Sequence, residues 1–89
     1  MPNSKVSVII PHWNGIDILS DCLDSLNKNS YSNLEIIVVD NASSDGSAEW
    51  ISSNYPEIKL IQNNKNYGYA GGCNIGAEQS SGDLSLIHI

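Results

Sequence analysis

Eighty-nine residues, 40% hydrophobic and 16% charged, describe a globular chain too short for two ordinary domains and without an apolar run long enough to span a membrane. A chain of this size hides only about 60 to 65% of its unfolded surface, which leaves a slender core. Ten acidic residues against four lysines and no arginine, a net charge of -6, exclude a basic surface for nucleic acid or another polyanion.

The start, Met1 to Lys5, is polar and lacks signal-peptide form, which predicts a cytoplasmic chain. Val6-Ser7-Val8-Ile9-Ile10 is a β-branched run, expected to be a strand stopped by Pro11, with His12-Trp13-Asn14-Gly15 as the loop after it. Asn14 is placed to cap a helix whose buried face holds Leu19, Cys22, Leu23 and Leu26 and which ends near Asn29. Leu34 to Val39 contains the continuous apolar run Ile36-Ile37-Val38-Val39, as a parallel strand covered on both faces requires, and it ends at Asp40. The cluster Asn41-Ala42-Ser43-Ser44-Asp45-Gly46 leads into a short helix with Ala48, Ile51 and Tyr55, closed by Pro56. A third strand, Ile58 to Ile61, precedes the loop Gln62 to Gly68, a third helix from about Tyr69 to Ser80, and a last apolar segment from Leu84 to Ile89. The alternation predicts an α/β fold, a mostly parallel sheet with helices on both faces. Ligands of such sheets bind beyond the carboxyl ends of the strands, which selects the loops after Ile10, Val39 and Ile61.

Within those loops, Asp40 at a strand tip is expected to accept hydrogen bonds from a ligand, against the plainer role of capping the next helix that Asp45 shares. Trp13 has two readings, a ring-stacking surface or a half-buried wedge beside Pro11. In the third helix Ala70, Cys73 and Ala77 define the expected inward face with Asn74 beside it. Gly72 and Gly76, each costing about 1 kcal/mol relative to alanine, need a close approach to explain them. Cys22 and Cys73 lack a CxxC or zinc spacing and are expected as reduced, packed thiols. His12 and His88 have no partner at useful spacing and receive no catalytic role. No G-x-G-x-x-G fingerprint follows the first strand, and no phosphate loop, D-x-D pair or G-x-S-x-G elbow occurs, so neither a catalytic set nor a metal site is assigned.

Four segments, VSVIIPHWNG, EIIVVDNASSDGS, NYGYAGGCNIG and Gly82-Asp83, together resemble the beginning of a family 2 glycosyltransferase, and the third has the form of the rhamnosyltransferase-like branch. The resemblance implies the N-terminal, nucleotide-binding half of a GT-A (Rossmann-like) fold, with residues 1–89 forming a partial domain that stops before the D-x-D motif. It implies that Pro11 and Trp13 line a base pocket, with Asn14 in the same loop, that Asp40 contacts base or ribose, and that Asn66, Gly68 and Asn74 border the nucleotide sugar. The implied donor is a nucleoside-diphosphate sugar, the implied acceptor a glycan or lipid-linked hydroxyl, and the implied cofactor a divalent cation, Mg2+ or Mn2+, whose ligands are not in this chain. The whole enzyme would work in the cytoplasm, at the inner face of the membrane, in polysaccharide or cell-envelope glycan synthesis, while this part alone would be inactive. Ser85 and His88 interrupt the apolar strand that the family has after Gly-Asp. The alternative is a complete, non-catalytic α/β nucleotide-binding module.

Overall fold

The structure, a computed structural model, describes residues 5–28, 33–82 and 84–87. Strands β1 (Val6–His12), β2 (Leu34–Asp40), β3 (Lys59–Gln62) and β4 (Leu84–Ile87) alternate with helices α1 (Ile16–Asn27), α2 (Ser47–Asn54) and α3 (Gly68–Gln79). All pairings are parallel, and the sheet order is β3-β2-β1-β4.

Side-chain alternation along the strands splits the core in two. Val8, Ile10 and Val38 face Leu19 and Leu23 of α1 and Ile51 of α2, while Ile9, Ile37 and Val39 face the other way, with Ile75 of α3 against them. Each fully buried aliphatic side chain contributes about 1.5 to 3 kcal/mol relative to exposure. Two crossovers run outward from β1 over the first face, and the third returns over the second face to place β4 on the far side of β1. That reversal makes the sheet doubly wound and opens a crevice at the carboxyl end of β1. The expected α/β class with helices on both faces is what the chain adopts.

Several boundaries differ from expectation. Pro11 does not stop β1, which continues to His12 in register with Asp40. Proline lacks the N–H that would donate to a ladder, yet Pro11 keeps its place in the β1–β2 register opposite Val39. Asn14 does not cap α1. Gly15 takes the N-cap position at φ +109, no side chain caps the helix, and the Asn14 carboxamide is engaged across the loop. The helix closes at Asn27, and Asn29 lies outside the described residues, as do residues 88 and 89 of the last segment.

The inward face of α3 is Gly72, Cys73 and Gly76, not Ala70, Cys73 and Ala77, since both alanines are exposed. The reason is steric. A Cβ on Gly76 would collide with Ile9 Cγ2 and lie 3.1 Å from Val39 Cγ2, and one on Gly72 would lie 3.1 Å from both Pro11 Cβ and Asn41 Nδ2. The glycines therefore turn inward because the helix backbone rides directly on the sheet. Both cysteines are free thiols, Cys73 buried and Cys22 half-buried.

Candidate functional site

The three selected loops meet at the carboxyl end of the sheet. The β1–α1 turn is tied to the β2–α2 loop by four hydrogen bonds. Asn14 N–H donates to Ser43 Oγ (2.9 Å), Ser44 N–H to Asn14 Oδ1 (2.8 Å), Asn14 Nδ2 to Ser44 Oγ (3.5 Å) and Gly15 N–H to Asp45 Oδ2 (2.7 Å). Asn14 itself sits at φ +49, a conformation that asparagine tolerates better than most residues. Asn41, buried at the tip of β2, anchors the third loop. Its Oδ1 accepts from Asn63 Nδ2 (2.8 Å) and the Tyr67 N–H (3.4 Å), and its Nδ2 donates to the Gly68 carbonyl (3.2 Å). Asn66 Oδ1 accepts the Gly68 N–H at 2.7 Å, the turn from which α3 starts.

A hollow of about 220 Å³ opens between these loops, lined by Pro11, His12, Trp13, Asn41, Asn66, Gly68 and Tyr69. Trp13 is 56% exposed and Tyr69 52%, so the indole is no buried wedge. A second hollow of about 170 Å³ adjoins it through Pro11, His12 and Tyr69 and runs along Ile18, Leu19 and Cys22 of α1. Lys65, in the β3–α3 loop, lies over the Tyr67 ring at 5.1 Å.

Asp40 lies beneath the loops, 2% exposed. Its Oδ2 accepts the Ser43 N–H at 3.1 Å, and among the described residues its Oδ1 is the one buried side-chain oxygen or nitrogen with no hydrogen-bond partner. Asp45 does the helix-starting work, with Oδ1 accepting both the backbone N–H (3.1 Å) and the hydroxyl of Ser47. The Ser47 hydroxyl, followed by the Gly15 N–H, holds the Asp45 carboxyl down at about 2. His12 is pushed below the usual imidazole range by burial, which outweighs the attraction of Asp40 and Asp45. It stands neutral at pH 7.

Of the residues singled out from the sequence, Pro11, Trp13, Asn66 and Gly68 line one hollow, Asn14 is bonded across the neighbouring loops, and Asp40, buried at the end of β2, is not among the lining residues. Asn74 is exposed on α3 and is not among the lining residues. Sequence reasoning missed Asn41, His12 and Tyr69. For Asn41 a signal existed, a polar amide directly after a fully apolar strand, where a buried group must find partners.

Comparison with known proteins agrees with this fold. Residues 7–88 match the model of "Glycosyl transferase family 2". The chain belongs to that family. Glycosyltransferase AglE of Haloferax volcanii is 37% identical over 84 residues, covering 89% of this chain and 28% of that protein. Among solved structures, the mannosyltransferase PcManGT from Pyrobaculum calidifontis, in complex with GDP-Man and Mn2+, superposes with a TM-score of 0.83 at 26% identity, covering 93% of this chain and 26% of that one. The S. aureus TarS 1-349 complex with UDP-GlcNAc gives a TM-score of 0.81 at 28% identity, covering 93% and 25%. These neighbours are GT-A glycosyltransferases. The chain thus spans about a quarter of the length of the relatives it matches.

Among the described residues, no helix is long and apolar enough to cross a membrane. Nor do three His, Cys, Asp or Glu side chains come together there to hold a metal ion, so the divalent cation that the resemblance implies has no donor set among them and no step is assigned to it.

Proposed function

We propose that this chain is the nucleotide-binding part, lying before the D-x-D motif, of a glycosyltransferase that moves a sugar from a nucleoside-diphosphate sugar to an acceptor hydroxyl in glycan synthesis. The observation that carries the reading is the hollow at the doubly wound sheet's crevice, flanked by the exposed faces of Trp13 and Tyr69. A planar base can stack on such a ring face. Pro11 and Trp13 would hold the base, with Asn14 fixing the turn, while Asn66 and Gly68 border the ribose and diphosphate and Asn74 faces the sugar beyond. Asp40 Oδ1, buried without a partner, would take a hydrogen bond from base or ribose once the loops above it part.

The motif NYGYAGGCNIG supports the rhamnosyltransferase-like branch and a hexosyl or deoxyhexosyl donor. PcManGT is described with Mn2+, which supports a divalent cation for the whole enzyme. The described residues of this chain bind and orient without supplying a catalytic base, so residues 1–89 alone should transfer no sugar.

Titration of UDP and GDP into the chain tests the reading. Asp40→Ala should weaken binding by about 1 to 3 kcal/mol, roughly 5- to 150-fold. An unchanged dissociation constant would count against it, and measurable sugar transfer by the purified chain would overturn the inactivity.

A further inference from the structure

His12, the histidine without a role in the sequence, is buried at the tip of β1 and borders both hollows. Its Nε2 lies 3.0 Å from the Oγ of Ser47, itself fully buried at the start of α2. The Ser47 hydroxyl has a single proton, and it donates that proton to Asp45 Oδ1. The serine oxygen can then only accept from His12, which selects the imidazole tautomer carrying its proton on Nε2. Asp45 Oδ2 in turn accepts the Gly15 N–H at 2.7 Å. The relay leaves the chain at residue 12, crosses to α2 and returns at residue 15, closing a ring around Trp13 and Asn14.

Such a ring has mechanical use. Asn14 and Gly15 both hold positive φ, +49 and +109, so this turn is not one the backbone keeps by itself. The bonds from Ser43 and Ser44 grip Asn14 from the β2–α2 loop, and the relay grips the residues on either side. Trp13 projects from the middle. The charged groups facing the imidazole are Asp40 from β2 and Asp45 from the loop before α2, and burial outweighs both in keeping the ring neutral. With its Nε2 proton committed to Ser47, His12 is poorly placed to exchange protons with a ligand and well placed to hold geometry.

We propose that His12 is a positioning residue which, as an Nε2–H donor acting through Ser47 and Asp45, holds the Trp13-Asn14-Gly15 turn in the shape that presents the indole to the hollow. Its consequence for ligand affinity rests on the nucleotide reading, but its consequence for the order of Trp13 does not.

The test uses the full chain carrying Trp50→Phe, which leaves Trp13 as the sole tryptophan. Nitrogen-15 spectra of the His12 ring at pH 8 should show the proton on Nε2, and a proton on Nδ1 would overturn the proposal without any substitution at the site. His12→Gln, whose amide also donates, should preserve the fluorescence anisotropy of Trp13. His12→Leu and Ser47→Ala should each lower it and raise acrylamide quenching about twofold as the turn loosens. The double variant should add nothing further, because the two act in one chain of bonds. Equal loss in the Gln and Leu variants, or full Trp13 order in the Leu variant, would overturn the inference. Should His12→Leu not fold, Ser47→Ala and the tautomer still decide. UDP should bind the Gln variant more tightly than the Leu variant. If neither UDP nor GDP binds the unsubstituted chain while the spectra hold, it is the nucleotide reading that fails.

Discussion

Strand β2 carries a carboxylate near each end, and its surroundings treat the two differently. At the amino end, Glu35 is enclosed by donors. Oε1 accepts from the Ser7 hydroxyl (2.8 Å) and the Ser81 N–H (3.0 Å), Oε2 accepts from the Ser81 hydroxyl (3.1 Å), and Lys5 Nζ lies 3.9 Å away. The Gly82 N–H closes the cluster on Ser7 Oγ at 2.9 Å. At the carboxyl end, Asp40 has one oxygen bonded and the other without a partner among the described residues. The amino-end network joins the α3–β4 connection to β1 and β2 with both Glu35 oxygens bonded, whereas at the carboxyl end one buried Asp40 oxygen has no partner among the described residues. A satisfied network serves structure, and a buried group left without a partner calls for an explanation, such as a ligand.

The largest effect should come from filling the closed end. A Cβ on Gly82 would press on Ser7 Oγ and lie 2.8 Å from the Ser7 nitrogen and 3.0 Å from the Lys5 carbonyl, backbone atoms with little freedom to yield. Gly82→Ala should lower unfolding free energy by about 2 to 3 kcal/mol in urea denaturation, overpacking being the cause. Next come the paired carboxylates. Glu35→Gln should cost about 1 to 2 kcal/mol of stability and leave UDP affinity unchanged, while Asp40→Asn should shift stability by less than about 1 kcal/mol yet weaken UDP. If Asp40→Asn proves the more destabilising of the two, the contrast between closed and open networks is broken.

Titration sharpens the same contrast. Glu35 and Asp45 both have carboxyls held below their ordinary values, the first chiefly by the Ser81 N–H and the second chiefly by the Ser47 hydroxyl. A depressed carboxyl contributes stability above its unfolded value and loses it as pH falls, here from about 4.5 down to about 2. His12, lowered by burial, adds a loss that starts as pH drops below 6.5. The urea midpoint should therefore decline in two stages on acidification, and Asp45→Asn should remove part of the lower stage only. The smallest effect belongs to Trp13→Ala, which should change stability by no more than about 0.5 kcal/mol because the indole is exposed, while nucleotide affinity falls. A large destabilisation would mean that Trp13 packs after all.

Much of the frame was legible because burial leaves a period in the sequence. The continuous run from Ile36 to Val39 implied a strand covered on both sides, and Leu19, Cys22, Leu23 and Leu26 implied one helix face. Both follow from which side chains must leave water. Gly72 and Gly76 announced a close approach, but not its direction, because a residue without a side chain says nothing about which face it occupies. Pro11 looked like a stop because proline lacks a donor, yet the pairing of β1 with β2 runs on through it to His12. Asn14 had the right chemistry for a cap, and only the folded β2–α2 loop could outbid α1 for its carboxamide.

What the amino-acid order determined by itself was the α/β alternation, the acidic strand tip at Asp40 and the loops where a ligand would gather, since these depend on local period and on strand polarity. Only the tertiary structure decided that His12, Ser47 and Asp45 form one relay, that Asn41 anchors the third loop, and that Trp13 stays exposed. The His12–Ser47 and Asn41–Asn63 bonds join residues 20 or more positions apart, a separation that the chain bridges only after the sheet has brought its strand tips side by side.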